Sequence, residues 1–120
     1  MALGITPAEA IAELDRALAE AGEDVILRRY TAPSGSPRPK TDVPVRAFVR
    51  PVDALEVKEL VGNLATAYDE VILSPTGAAA LLPLVRGDKI VIAGKERNIE
   101  LPRAIRMQNV TVRIAPLVAG

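Results

Sequence analysis

Lys89-Ile90-Val91-Ile92-Ala93-Gly94-Lys95-Glu96-Arg97-Asn98-Ile99-Glu100, the centre of a stretch from Pro83 to Leu101, decides how this chain folds. It reads as a β-hairpin. Gly94-Lys95 has the order of a two-residue type II′ loop, because Gly takes φ > 0 at the first position without a steric penalty. That loop predicts Ile92 opposite Arg97, Ile90 opposite Ile99 and Lys89 opposite Glu100. One face then pairs isoleucines and the other pairs opposite charges, as cross-strand energetics favour. The hairpin belongs to a small β-rich domain and carries no catalytic group.

Downstream, Val110, Val112 and Ile114 alternate with Thr111 and Arg113 in a final strand that runs toward Leu117. Upstream, residues 70–73 form a short buried strand. Ser74-Pro75 then opens a short helix through Leu82, which Pro83 ends. Residues 53–63 read two ways: Asp53 with Glu56 resembles a helix cap, yet Leu55, Val57 and Val61 fit a strand face. In 43–50, Val43, Val45, Ala47 and Val49 point one way and Arg46, Phe48 and Arg50 the other. Pro44 suggests an edge or a strand start, and Pro51 stops the strand.

Residues 31–42 hold three prolines among Ser, Gly and Thr, with no apolar periodicity. They are expected to form a long mobile loop inside the domain, since only a helix and one strand precede them. That strand is 24–30, with Val25-Ile26-Leu27 followed by Arg28, Arg29 and Tyr30. Residues 6–21 are the clearest helix. Thr6 caps it, Pro7 suits its first position and Glu9 completes a capping box. Ile11, Leu14, Leu18 and Ala21 recur at helical spacing, and Gly22 is expected as a left-handed terminator.

These elements predict one domain over 1–120, mainly β with an N-terminal helix (α+β): a small antiparallel β-barrel or rolled sandwich with a long loop after its first strand. The helix is 6–21, the loop 31–42 and the β-rich core 43–118.

Half of the residues are apolar, but Tyr30, Phe48 and Tyr68 are the whole aromatic set. That argues against base-stacking platforms and an aromatic carbohydrate cleft. With no His and no Cys, imidazole or thiolate metal sites, disulfides, Cys nucleophiles and a His base are all impossible. No basic flank precedes an apolar run, so a signal peptide is not expected, nor is a membrane span. The chain is expected to be soluble and cytoplasmic when made.

Net charge is zero but unevenly spread. Residues 1–23 hold five carboxylates and one Arg; residues 86–113 hold seven cations and three carboxylates. Both can be solvated faces, or the acidic helix can dock on a basic surface of its own barrel or of a neighbouring subunit.

Catalytic chemistry is not legible. Gly87-Asp88-Lys89 lacks the spacing of a phosphate loop. Ser74 and Thr76 suit helix capping. The pairs Glu56/Glu59 and Asp69/Glu70 need only be polar surface. No enzyme, cofactor or metal is expected. Arg28 and Arg29, with Arg46 and Arg50, flank the long loop on strands and could line a basic surface.

The order of elements carries one resemblance. Residues 43–50 are followed by Glu59-Leu60-Val61-Gly62-Asn63-Leu64, then by Asp69-Glu70-Val71-Ile72-Leu73-Ser74, a Pro, and the hairpin 87–99. From about Val43 to the C-terminus this resembles the small head–tail joining proteins of long-tailed phages and prophages. That head-completion or stopper group includes the lambda-like head–tail attachment proteins. The resemblance implies a β-barrel that assembles as a ring in the virion neck, between portal or adaptor proteins and the tail. It implies a structural part that helps retain packaged double-stranded DNA and docks the tail, after a stage in the host cytoplasm. It implies that the loop meets DNA phosphate or neighbouring subunits through Arg38 and Lys40. The residues by themselves leave open a small nucleic-acid-binding barrel or a regulatory interaction module.

Overall fold

The computed structural model describes residues 5–52 and 68–120. Helix α1 (Pro7–Ala21) starts as its sequence predicts. Thr6 Oγ1 accepts the Glu9 N–H at 3.2 Å, and Glu9 Oε1 accepts the Thr6 N–H at 3.3 Å. Leu14 and Leu18 are its buried residues. The helix packs in cis, partly on the barrel and chiefly on the small two-stranded sheet near the C-terminus. It stops at Gly22 for a different reason from the one expected. Gly22 is extended (φ −75°, ψ 175°), not left-handed. A Cβ there would lie 2.6 Å from the Leu18 carbonyl oxygen and 3.1 Å from that of Ala47. Close backbone approach, rather than φ, requires this glycine.

Six strands close a barrel in the order β1 (Glu23–Tyr30), β2 (Lys40–Pro51), β3 (Asp69–Ile72), β8 (Leu117–Ala119), β5 (Lys95–Leu101), β4 (Lys89–Ile92) and back to β1, every pair antiparallel. The chain is thus mainly β with one N-terminal helix, a small α+β barrel. Strand alternation fills its interior. Leu27 pairs with Val43 on one side and Ile90 on the other, Val25 with Val45 and Ile92, and Val49 with Val71. Leu27, Val71, Leu73, Ile90 and Val118 are fully buried. Val43, Val45, Ala47 and Val49 share the inner face, as their spacing predicts. Pro44 sits where β2 pairs only with β1, so its missing N–H costs no ladder bond.

The 83–101 hairpin forms with another register. Ile92 pairs with Lys95, Ile90 with Arg97 and Lys89 with Asn98. Its loop is Ala93-Gly94, both at positive φ (51° and 79°), the type I′ geometry. Ile90 and Ile99 still both point inward, as neighbours on the diagonal.

Between β3 and β4 lie helix α2 (Pro75–Ala78) and a 3₁₀ turn (Ala79–Leu81). Ser74 Oγ caps α2 by accepting the Thr76 N–H at 3.2 Å, and Thr76 Oγ1 donates to Asp15 on α1 at 2.9 Å. A second, two-stranded sheet, β6 (Ala104–Met107) with β7 (Val110–Ile114), follows β5, and β7 packs on α1. Its turn residues Gln108 and Asn109 both have positive φ. Glu70, buried, ties this hairpin to the barrel: Arg50 donates to it at 2.7 Å and Arg103 donates to its other oxygen. The double reading of 53–63 lies outside the described residues.

Candidate functional site at the loop end of the barrel

The barrel has two ends, and the connection between β1 and β2 marks one of them. Strand β2 begins at Lys40, so the loop spans 31–39 rather than 31–42. The register explains this: Tyr30 pairs with Lys40, and Arg28 pairs with Asp42 and grips it. Lys40 is therefore a strand residue at the loop's base. The loop closes on itself through the Thr31 N–H, which donates to the Pro39 carbonyl at 2.9 Å. Arg38 turns back over it. Its guanidinium lies 4.1 Å from the Tyr30 ring centroid, and its Nε donates to the Ala32 carbonyl at 2.7 Å.

Period-2 alternation sends Arg28 and Arg29 to opposite faces. Arg28 points outward and donates to both oxygens of Asp42 (2.8 and 3.1 Å) and to Glu96 (3.0 Å). The Tyr30 hydroxyl donates to the same Glu96 oxygen. Arg29 points inward and plugs the barrel end. It grips Asp88 with two hydrogen bonds (2.9 and 2.7 Å) and donates to the Leu81 and Pro83 carbonyls. Asp88, buried, also accepts the Val85 N–H at 2.9 Å. At the opposite end, Arg97 and Asp69 form a second inward-facing ion pair.

Arg46 and Arg50 belong to other assemblies. Arg46 donates to the Leu18 carbonyl at the C-terminus of α1, where a cation complements the helix dipole, and pairs with Asp24 at 3.2 Å. Arg50 holds Glu70. The four strand arginines thus serve four separate networks and form no common basic face. Sequence reasoning missed Arg86 and Lys89, which come to the loop end from the β3–β4 connection and the first residue of β4. Nothing in their local pattern signals this, because only barrel closure brings them to β1.

The hydrogen bonds set the acid–base behaviour. Arg28 holds the Asp42 carboxyl below its ordinary range. The Tyr30 hydroxyl first, and Arg28 second, do the same to Glu96. In return, Glu96 pushes the Tyr30 hydroxyl upward and Asp42 raises Arg28. The two carboxylates therefore add stability that is present above their unfolded values, 3.8 and 4.5, and is lost as pH falls through their depressed folded ones. Tyr30 adds stability that is complete below 10.0 and is lost at higher pH. A Asp42→Asn/Glu96→Gln variant is expected to be less stable at neutral pH but flatter from about pH 5 to about pH 2. Denaturation midpoints measured along that range check it; wild-type and variant curves that run parallel contradict it.

Among the described residues, no His, Cys, Asp or Glu group of three is placed to hold a metal ion. No described helix is long and apolar enough to cross a membrane. No protein-family model and no curated protein matches this chain.

Proposed function

We propose that this chain is a structural subunit of a virion neck, a ring protein that joins a phage or prophage head to its tail. The observation that carries the reading is a closed antiparallel barrel bearing a long loop, 31–39, directly after its first strand. The loop would face the channel, with Arg38 and Lys40 toward packaged double-stranded DNA or adjacent subunits. Positive charge suffices for phosphate contact and reads no sequence, which suits a channel wall. The acidic residues that α1 leaves exposed, Glu9, Glu13 and Glu20, and exposed cations of the basic segment, Lys95 and Arg106, support head-to-tail contacts, which close into rings when the rotation permits. Portal-side neck proteins and tail proteins would be the remaining partners, in the virion after assembly in the host cytoplasm. The role is architectural, with no catalysis, cofactor or membrane.

Light scattering and sedimentation test this. The protein is measured alone and with DNA-filled, tail-less heads from the phage or prophage that encodes it. Stable rings on heads, and heads that then keep their DNA, are the expected result. Replacing 33–38 by two glycines is expected to leave the fold intact while heads lose DNA. A monomer that ignores heads, or a loop variant that yields normal particles, overturns the reading. Binding of free nucleic acid by a monomer that ignores heads would favour the small nucleic-acid-binding barrel instead.

A further inference from the structure

We infer that the loop end of the barrel holds a site for phosphoryl oxygens, built chiefly by Arg38, Arg86 and Lys89. A cavity of about 340 Å³ opens there, and these three side chains line it together with Arg29, Tyr30 and Asp88. The three come from separate segments: the β1–β2 loop, the β3–β4 connection and β4. Only folding assembles them.

The charge balance points to an anion. Asp88 is the one carboxylate of the lining, and its side chain is 4% exposed. Both its oxygens are spent on Arg29, and one also on the Val85 N–H. That pair is locally neutral. The other cations are not matched in this way. Arg38 donates to a backbone carbonyl, and Lys89 Nζ donates to the Asn98 amide oxygen. Arg86 is 77% exposed and meets Glu100 at 3.4 Å. The nearby carboxylates Asp42 and Glu96 share Arg28. A ligand at the mouth therefore meets Arg38 and Lys89, whose hydrogen-bond partners are neutral, and Arg86, which is mostly exposed and held by a single 3.4 Å contact to Glu100.

The same geometry selects the ligand class. A phosphoryl group offers several acceptors in a tetrahedral array, which suits cations converging from several directions. Arg38 already occupies a face of the Tyr30 ring, so that face is closed to a nucleobase. The site reads phosphate and not base. Its ligand is a nucleic-acid backbone or a free phosphate.

This inference does not rest on the neck reading, because one copy carries the whole site. The test uses the full isolated chain, labelled with ¹⁵N and titrated with inorganic phosphate against a chloride control of equal ionic strength. A 12-base-pair duplex, roughly one turn of the 10–10.5 base-pair helix, is titrated in parallel. Saturable shifts confined to amides around residues 29–30, 38 and 85–89 are expected. An Arg38→Ala/Arg86→Ala variant should weaken binding about tenfold or more at an unchanged melting temperature. Lys95→Ala, at the opposite end of the barrel, should bind normally. Saturation by duplex alone, with affinity falling steeply with salt, identifies a polymer backbone. Saturation by both identifies a phosphate site open to either source. Absent or dispersed shifts with both ligands, or a double variant that binds like wild type, overturns the inference.

Discussion

Asp88→Ala is expected to cost about 3 kcal/mol, the lower end for breaking a buried ion pair, and to lower the melting temperature by roughly 12 °C. The loss has two sources. The Val85 N–H is left without its acceptor, and the Arg29 guanidinium stays in the barrel end without its counter-charge. The lower end applies because the Arg29 side chain keeps one third of its exposure and two carbonyl partners, Leu81 and Pro83. Arg29→Met alone should be at least as damaging, since it strands the better buried partner. Combining the two changes should recover much of the loss, because the pair's worth is smaller than the penalty for leaving one charge unpaired. Urea denaturation of the two single variants and the double variant closes the cycle. A single-variant loss below about 1 kcal/mol, the size of an ordinary surface pair, would show that water reaches Asp88 freely and that the plug is superficial.

Leu27→Ala is expected to cost about 3 to 4 kcal/mol. Leu27 is fully buried in the middle of β1, with Val43 and Ile90 as its lateral neighbours. A cavity opened there cannot collapse easily. The surrounding wall is a ring of hydrogen-bonded strands, and drawing it inward means bending several ladders at once. Val110→Ala offers the contrast: Val110 is 42% exposed on the β6–β7 hairpin, and its truncation should stay within about 0.5 kcal/mol. Denaturant midpoints with an unchanged slope check both values. Equal losses at the two positions would mean that the barrel interior relaxes as freely as the surface.

Much of this architecture is legible from residue pattern. The capping box of α1, the inward face of β2, the cap at Ser74 and the two hairpin strands all follow from side-chain period and terminal chemistry. The hairpin register does not. Starting the loop at Ala93 instead of Gly94 changes which residues oppose one another but leaves every side chain on its own face. Hydrophobic patterning therefore cannot separate the two registers. The observed one also sets Asn98 against Ala119 and Ile99 against Val118 on β8, a partner distant in sequence. Strand β6 is not legible in the residue pattern because three of its four residues are exposed, and the Gln108-Asn109 turn is its one local signal. Arg28 and Arg29 read as a basic pair along the chain, yet alternation alone separates them. Their partners Asp42, Glu96 and Asp88 could not be assigned before barrel closure was known. The anion cavity was illegible for the same reason: Arg38, Arg86 and Lys89 meet only across a closed sheet.

The closed ladder also bears on how this protein behaves at high concentration. A strand with an unpaired side is a template for another chain, and cylinders remove most such templates by returning each strand to its neighbour. Among the described residues, two of the open stretches carry features that blunt them. One is the first half of β2, where Pro44 interrupts the row of donors. The other is the outer side of β6, where Ile105 stands exposed beside Arg106 and the pairing with β7 is broken by a bulge. A charge and a bulge are devices that discourage strand-to-strand aggregation. Arg106 is therefore as much a solubility residue as a surface one, and exchanging it for an apolar residue would make β6 the point from which aggregates grow.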